Sequence, residues 1–222
     1  MSGSDVYELQ SILKVIGYNP GDIDGVFGQK TENAVRDFQR NNGLMPDGVV
    51  GSQTYQKLEP FLVGYDEYTI QRGDTLYKIA NRYYTTVSSI TIANPDINPF
   101  FLNIGEQITV PYGIDVVQTD IPYTYSVMER DIHGLEMRYP FLTVDTIGKS
   151  VEGRNLYMIK LGDGPREVFF NGSHHANEWI TTPLLMKWIE QFSKAFARGG
   201  IIRGYPTRTI WEQATIYIVP MV

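Results

Sequence analysis

Glu167-Val168-Phe169-Phe170-Asn171-Gly172-Ser173-His174-His175-Ala176-Asn177-Glu178-Trp179 is an apolar run that breaks into a polar cluster. Thr182-Pro183 follows as an N-cap and first-turn pair. Leu184, Leu185, Trp188, Ile189 and Phe192 then recur at helical spacing. The order is strand, polar turn, helix. Open α/β sheets place ligands where a strand ends and a helix begins, so this stretch predicts both the fold class of its surroundings and the position of a site. Upstream, Leu142–Ile147 and Leu156–Leu161 read as two strands joined by the turn-rich Gly148-Lys149-Ser150-Val151-Glu152-Gly153-Arg154. Before them, Met128, Ile132, Leu135 and Tyr139 line one face of a helix that Pro140 ends. Downstream, Ala214 to Val222 is apolar with no polar face, as expected in the middle of a helix-covered sheet.

Within the polar cluster, His175 and Glu178 stand three positions apart. On one helical turn or a tight loop that spacing lets an imidazole and a carboxylate reach one metal ion at about 2.0–2.2 Å. His174 with Glu178 is also spaced for chelation, and spacing alone does not choose between the histidines. An H-x-x-E string by itself is weak, and adjacent histidines are more often surface decoration. His133 lies off its helix's apolar stripe and reads as a solvated surface residue.

The N-terminal part contains an internal echo. Asp24-Gly25-Val26-Phe27-Gly28-Gln29-Lys30-Thr31 reappears as Asp47-Gly48-Val49-Val50-Gly51-Ser52-Gln53-Thr54. Each copy reads as a turn whose glycines supply positive φ, followed by a polar helix start. Val6, Leu9, Leu13 and Ile16 form a helical stripe before the first copy, stopped by Gly17; Ala34, Val35 and Phe38 form another between the copies. With Tyr55 and Leu58 on a third helix, residues 5–62 form a small three-helix module. Its residues, from Leu9-Gln10 and Gly17-Tyr18 through Phe38-Gln39 and Gly43-Leu44 to Thr54, resemble the peptidoglycan-binding domain 1 family. The resemblance implies weak, non-catalytic attachment to the bacterial wall.

Residues 66–111 change period. Tyr68-Thr69-Ile70 reads as a strand, Arg72-Gly73-Asp74 as a turn, and Asp74 or Thr75 as the N-cap of a helix carrying Leu76, Ile79 and Ala80. Ser88 is placed to cap a second short helix that Asn94-Pro95 ends, and Gln107–Val110 is a second strand. This βααβ order, with Tyr68-x-Ile70-x-x-Gly73-Asp74-Thr75-Leu76, Ile92-x-Asn94-Pro95 and Ile104-Gly105-x-x-Ile108-x-Val110-Pro111, resembles a LysM module. In that family N-acetylglucosamine chains lie in a groove between two loops. Carried over, the groove is lined by Gly73, Asp74, Thr75 and Leu76 on one side and by Asp96, Ile97 and Asn98 on the other. Each of these also has a plain reading as turn or helix cap. Residues 112–124 have no sustained period and read as a linker.

Residues 125–222 carry Gly148-Lys149-Ser150-x-Glu152-Gly153-Arg154-x-Leu156 and Gly172-x-His174-His175-Ala176-Asn177-Glu178-Trp179, which resemble the zinc carboxypeptidases (M14 metallopeptidases). That resemblance implies that His175 and Glu178 are two of three ligands of one zinc ion, with His174 beside the site. Asn177 stands where the digestive enzymes of the family have arginine, so ordinary C-terminal specificity is not implied. The combination of modules is similar to the γ-D-glutamyl-L-diamino acid endopeptidases of spore-forming bacilli. It implies zinc-assisted hydrolysis of an amide in wall stem peptides, with a glutamate as general base. The partners implied are peptidoglycan glycan and stem peptides. A third ligand and a general-base glutamate are not among these residues; both are expected beyond Val222, and the chain is expected to be part of a longer enzyme. The alternatives are a non-catalytic wall-binding protein and a conventional carboxypeptidase.

The expected architecture is therefore multidomain: a three-helix module, a βααβ module, and an incomplete α/β peptidase fold with a mixed sheet under covering helices. Composition agrees. At 42% apolar and 20% charged the 222 residues are those of a globular chain. A net charge of −6 argues against nucleic acid and anionic membranes as partners. No cysteine is present, so a zinc ion would sit on His, Asp or Glu. Met1-Ser2-Gly3-Ser4-Asp5 has neither the basic nor the apolar region of a secretory signal. The expected location is the cell wall or spore.

Overall fold

The computed structural model describes residues 3–175 and 177–222. Helices α1 (Ser4–Val15), α2 (Gln29–Asn41) and α3 (Ser52–Val63) come first. They pack around Leu13, Ala34, Val35, Phe38 and Leu58 of the stripes read from the sequence, joined by Ile12, which those stripes omit, while Tyr55 is exposed. The echo is a hydrogen-bond device. Gln10 is buried at the end of the first half; its side-chain amide donates to Asp24 Oδ1 (2.9 Å), Val26 O and Thr31 Oγ1, and its oxygen accepts from Gly25 N (2.8 Å). Gln39 repeats the set on Asp47 Oδ1 (2.8 Å), Val49 O, Thr54 Oγ1 and Gly48 N. Each buried amide thus pins its turn to the helix that follows, which is why the Asp-Gly and Thr positions recur. Gly25 is obligatory, because it has φ 70° and a Cβ there would run into the Tyr7 ring.

Next come β1 (Tyr65–Thr69), α4 (Leu76–Arg82), α5 (Val87–Ala93) and β2 (Gln107–Pro111), the expected βααβ order. The strands pair antiparallel, Tyr65 opposite Pro111 and Thr69 opposite Gln107. Leu76, Ile79, Ile90, Ile108 and Val110 form their core. Thr75 caps α4, accepting from Lys78 N (3.2 Å). Thr86, not Ser88, caps α5 through Ser89 N (3.0 Å), because the helix begins at Val87, two residues earlier than the Ser88 reading places it.

The third part is a mixed sheet under two helices. Its elements are α6 (Tyr125–Arg138), β3 (Thr143–Lys149), β4 (Asn155–Leu161), β5 (Arg166–Asn171), α7 (Thr181–Ala197), the small β6–β7 hairpin (Ile201–Ile202, Tyr205–Pro206), α8 (Thr207–Gln213) and β8 (Ala214–Val219). The strand order is β3-β4-β8-β5, with β8 antiparallel to β4 and parallel to β5. Met128, Ile132 and Leu135 of α6 and Met186, Ile189 and Phe192 of α7 cover Ile159, Leu161, Ile216 and Ile218 of the sheet. The apolar β8 is an interior strand, as its lack of a polar face implies. The edge is β5, whose six residues are all exposed, Phe169 and Phe170 included. Strand β5 lies at the end of the strand order, and none of its residues joins the buried core under α6 and α7.

Residues 112–124 contain neither helix nor strand, as a linker should, yet they are packed rather than free. Val116, Val117, Ile121 and Tyr123 are buried in the same core as α6 and α7. The buried Glu190 of α7 accepts from Val116 N (2.6 Å) and Val117 N (3.4 Å). Asp115 accepts from Lys187 Nζ and Lys194 Nζ, both at 2.9 Å. The strap also ties the modules together. Ser11 donates to Asp120 (3.2 Å), Arg130 of α6 pairs with Glu8 of α1 (2.6 Å), and Tyr65 of β1 bonds His133 of α6 (3.0 Å). His133 thus lies on an exposed face, as expected, in contact with the βααβ module. Gly134 lets the Val63 carbonyl approach α6 where any Cβ would block it.

Burial alone would raise the Asp115 pKa, but its hydrogen bonds and ion pairs with Lys187 and Lys194 outweigh burial and hold it at about 2, below the ordinary 3.8. A depressed folded-state pKa means that the unfolded chain binds the proton first on acidification. The strap's contribution is therefore complete above about pH 4 and is lost as pH falls from about 4 to about 2. Urea midpoints measured across this range should fall more steeply for the wild-type chain than for Asp115→Asn; equal slopes would show that this carboxylate does not hold the strap.

Candidate metal centre and glycan groove

The polar cluster sits where β5 gives way to α7, and its backbone is tightly specified. Gly172 N extends the β5–β8 ladder to Val219 O (2.9 Å). Ser173 then turns the chain with φ 52°, an uncommon conformation for a residue with a side chain. Its amide donates to Thr181 Oγ1 (2.7 Å). Thr182 Oγ1 donates to the buried Pro220 carbonyl (2.6 Å), so Ser173 Oγ must be the donor in the Ser173–Thr182 hydroxyl pair (2.7 Å). Helix α7 starts at Thr181, two residues before the expected N1 at Pro183, and Thr182 acts as a tether to β8 rather than as a cap. Pro183 still falls in the first turn, where its missing N–H has no intrahelical partner to lose.

Between Ser173 and Thr181 the loop folds back on itself. Glu178 N donates to His175 O (2.9 Å), and Thr181 Oγ1 donates to Glu178 O (2.7 Å). The turn brings His175 Nδ1 to 3.0 Å from Glu178 Oε2. His174 makes no ion pair with the carboxylate among the described residues, and its ring stands edge-on to that of His175 at 5.1 Å. The tie left open by spacing is thus broken by geometry, since His175 is the histidine that converges with Glu178. The hydrogen bond from His175 lowers the Glu178 pKa, with the charges of His175 and His174 adding to it, so the carboxylate is ionised at neutral pH. Both side chains stay accessible, at 70% and 47% exposure. Trp179, Ile180 and Leu184 form an exposed apolar rim beside them.

The donor chemistry of this pair fits zinc. Two ligands at about 2.0–2.1 Å in a tetrahedral shell are about 3.3 Å apart, so the observed 3.0 Å needs to widen by only a few tenths of an ångström. It is a two-donor set. Among the described residues no group of three or more His, Cys, Asp or Glu stands together.

The loops of the βααβ module are less uniform than the sequence reading implies. Asp74 Oδ2 accepts from Tyr68 Oη (2.7 Å) and Gln71 N (2.8 Å), which lower its pKa and occupy the oxygen. Leu76 is only 3% exposed and belongs to the core, so it does not line a groove. Ile97 packs on that same core, and Asn98 Oδ1 accepts from Phe100 N (3.0 Å). Gly73, Thr75, Asp96 and Asn98 are exposed. Sequence reasoning passed over Phe100 and Phe101, which stand 96% and 73% exposed beside the Asp96–Asn98 loop. Two consecutive large apolar residues after Asn98-Pro99 were the available signal, since a turn cannot bury both.

Comparison with known proteins agrees module by module. A peptidoglycan binding domain model matches residues 2–58 and the LysM domain model residues 68–111. Residues 128–222 match the zinc carboxypeptidase model. The chain is 39% identical over 100 residues to gamma-D-glutamyl-L-diamino acid endopeptidase 1 of Lysinibacillus sphaericus, covering 45% of this chain and 25% of that protein. It is 47% identical over 77 residues to a spore cortex-lytic enzyme of Bacillus cereus, covering 35% and 29%. The chain therefore spans between a quarter and a third of these relatives. Among solved structures, a metallo-carboxypeptidase from Burkholderia cenocepacia aligns over 54% of this chain and 33% of its own at 20% identity, with a TM-score of 0.35. Among the described residues no helix is long and apolar enough to cross a membrane.

Leu76 separates a core role from a ligand role. Leu76→Ala should lower unfolding stability by about 2–4 kcal/mol through lost burial and a residual cavity, measured by urea titration of the whole chain. A variant as stable as wild type but weaker on glycan would restore the groove assignment.

Proposed function

We propose that this chain supplies the wall-binding modules and part of the zinc site of a peptidoglycan endopeptidase that hydrolyses an amide bond in stem peptides, between D-glutamate and the diamino acid. The observation that carries this reading is the His175–Glu178 convergence past the end of edge strand β5, on the same chain as two modules that resemble wall-binding domains. In this reading His175 Nδ1 and one oxygen of Glu178 hold the ion. When bound, zinc supplies Lewis-acid polarisation of a carbonyl and activation of water. The chain's own residues prepare the place. Glu178 is ionised before the metal arrives, the His174 ring braces the His175 ring, and the Ser173–Thr182–Pro220 hydrogen-bond chain fixes the loop to the sheet. The exposed Trp179–Ile180 rim leaves the site open to a large polymer rather than closing it around a short peptide.

Attachment is assigned to the βααβ module and the three-helix module, which places the protein at the cell wall or spore. The glycan groove proposed here uses Gly73, Asp74 and Thr75 on one side and Asp96, Ile97 and Asn98 on the other, extended by the exposed rings of Phe100 and Phe101. A second reading, a non-catalytic wall-binding protein, draws on the two-donor count at the metal site.

Two experiments test these assignments. Zinc content and cleavage of purified muropeptides are compared for this chain and for a version extended past Val222. The extended protein should retain zinc and cut, with His175→Ala and Glu178→Gln each lowering turnover at least a hundredfold while His174→Ala keeps zinc. An extended protein without zinc that leaves muropeptides intact sinks the enzyme reading. Separately, Phe100→Ala/Phe101→Ala should reduce co-sedimentation with purified wall several-fold at unchanged thermal stability; undiminished sedimentation removes these rings from the groove.

A further inference from the structure

A cavity of about 250 Å³ lies far from the metal centre, between the βααβ module and the peptidase part. Helix α7 separates the two places: His175 and Glu178 precede its first residue, whereas Lys194 and Arg198 lie at its far end, about 20–25 Å along the axis at 1.5 Å per residue. The cavity wall brings together Arg138 from the end of α6, Lys194 and Arg198 from α7, and the rings of Tyr112 and Tyr139. Among the described residues no carboxylate lines it. Three cations thus share one small concave space in a chain whose net charge is −6.

Their existing partners do not use up their capacity. Arg138 is only 7% exposed; its terminal nitrogens donate to Ile114 O (2.8 Å) and Tyr112 O (3.3 Å), which are neutral acceptors, and its Nε has no partner among the described residues. Lys194 shares Asp115 with Lys187 and has two further N–H bonds to give. Arg198 is exposed and has no ion pair or side-chain hydrogen bond among the described residues. Arg138 and Arg198 also complement the carbonyl ends of their helices. That accounts for a cation at each helix end, but not for their convergence with Lys194 on one cavity.

We propose that this cavity is an anion site that takes a small oxyanion, a carboxylate or a phosphate, and that it is independent of the metal centre. Guanidinium groups bind both oxyanions through paired N–H donors, and partial burial strengthens such bonds. The volume admits a small organic acid or phosphate with a few waters, but not a folded segment.

The test is calorimetric titration of the whole chain, at low ionic strength, with inorganic phosphate and separately with glutarate. One saturable site is expected for at least one probe, weakened at least tenfold in Arg198→Glu and also weakened in Arg198→Gln. Lys149→Glu, which makes the same charge change on exposed β3, should bind within twofold of wild type. Binding of phosphate alone supports the site and assigns it to phosphate esters, and binding of glutarate alone supports it and assigns it to peptide carboxylates. The proposal is overturned if neither probe saturates, if Arg198→Glu and Arg198→Gln bind as wild type, or if Lys149→Glu loses as much as Arg198→Glu. Circular dichroism melts of each variant without anion identify any that is simply unfolded, and Arg198→Gln carries the test if Arg198→Glu is.

Discussion

The Glu190 carboxylate is the constraint on which the arrangement of this chain depends. It is almost wholly buried, and it accepts from two backbone amides of the strap, Val116 and Val117, and from Lys187 of its own helix. Buried amides without acceptors cost about 1–3 kcal/mol each, and a buried carboxylate without partners is costlier still. Each group therefore requires the others. Once Glu190 has captured Val116 and Val117, the strap lies along α7, its apolar side chains complete the core over the sheet, and Asp115 falls within reach of Lys187 and Lys194. The helical and βααβ modules, attached to the other end of the strap, are then set against α6 through Glu8–Arg130, Ser11–Asp120 and Tyr65–His133.

The metal-site loop follows a related logic in miniature. A strand leaving a parallel pairing has to change direction before a helix can start, and Ser173 makes that change at positive φ. Such a conformation persists only where its surroundings over-determine it. Here the Thr181 hydroxyl meets Ser173 N and Glu178 O, the Thr182 hydroxyl anchors the turn to Pro220 of the neighbouring strand, and the Ser173 hydroxyl donates to Thr182. The loop can then present His175 and Glu178 to solvent without fraying, so exposure of the pair coexists with a fixed separation.

Much of this was legible beforehand because it is encoded locally. The apolar stripes of α1, α2 and α6, the βααβ order, and the strand–turn–helix around His175 all arise from spacing that any neighbour would respect. Errors came where a long-range partner decided. Leu76 belongs to a helix start and was carried into a glycan groove, but the strands β1 and β2 bury it. Thr182 has the chemistry of a cap, yet Pro220, distant in sequence, claims its hydroxyl. The aperiodic residues 112–124 read as a linker because irregular backbone carries no periodic signal, even where Val116, Val117, Ile121 and Tyr123 are buried. Hairpin β6–β7, whose strands have two residues each, is too short to show a period at all.

The sequence by itself determined the modules, their order and the residue types available to a metal, because turn chemistry and hydrophobic period act over a few residues. Tertiary structure alone decided which histidine meets Glu178, since both are equally spaced along the chain and only the folded turn orients one ring. It also decided that β5 is an exposed edge, since strand order depends on which partners satisfy each ladder. And it alone brought Arg138, Lys194 and Arg198 around one cavity, because two helix ends and a strap from different parts of the chain must pack before their charges share a space.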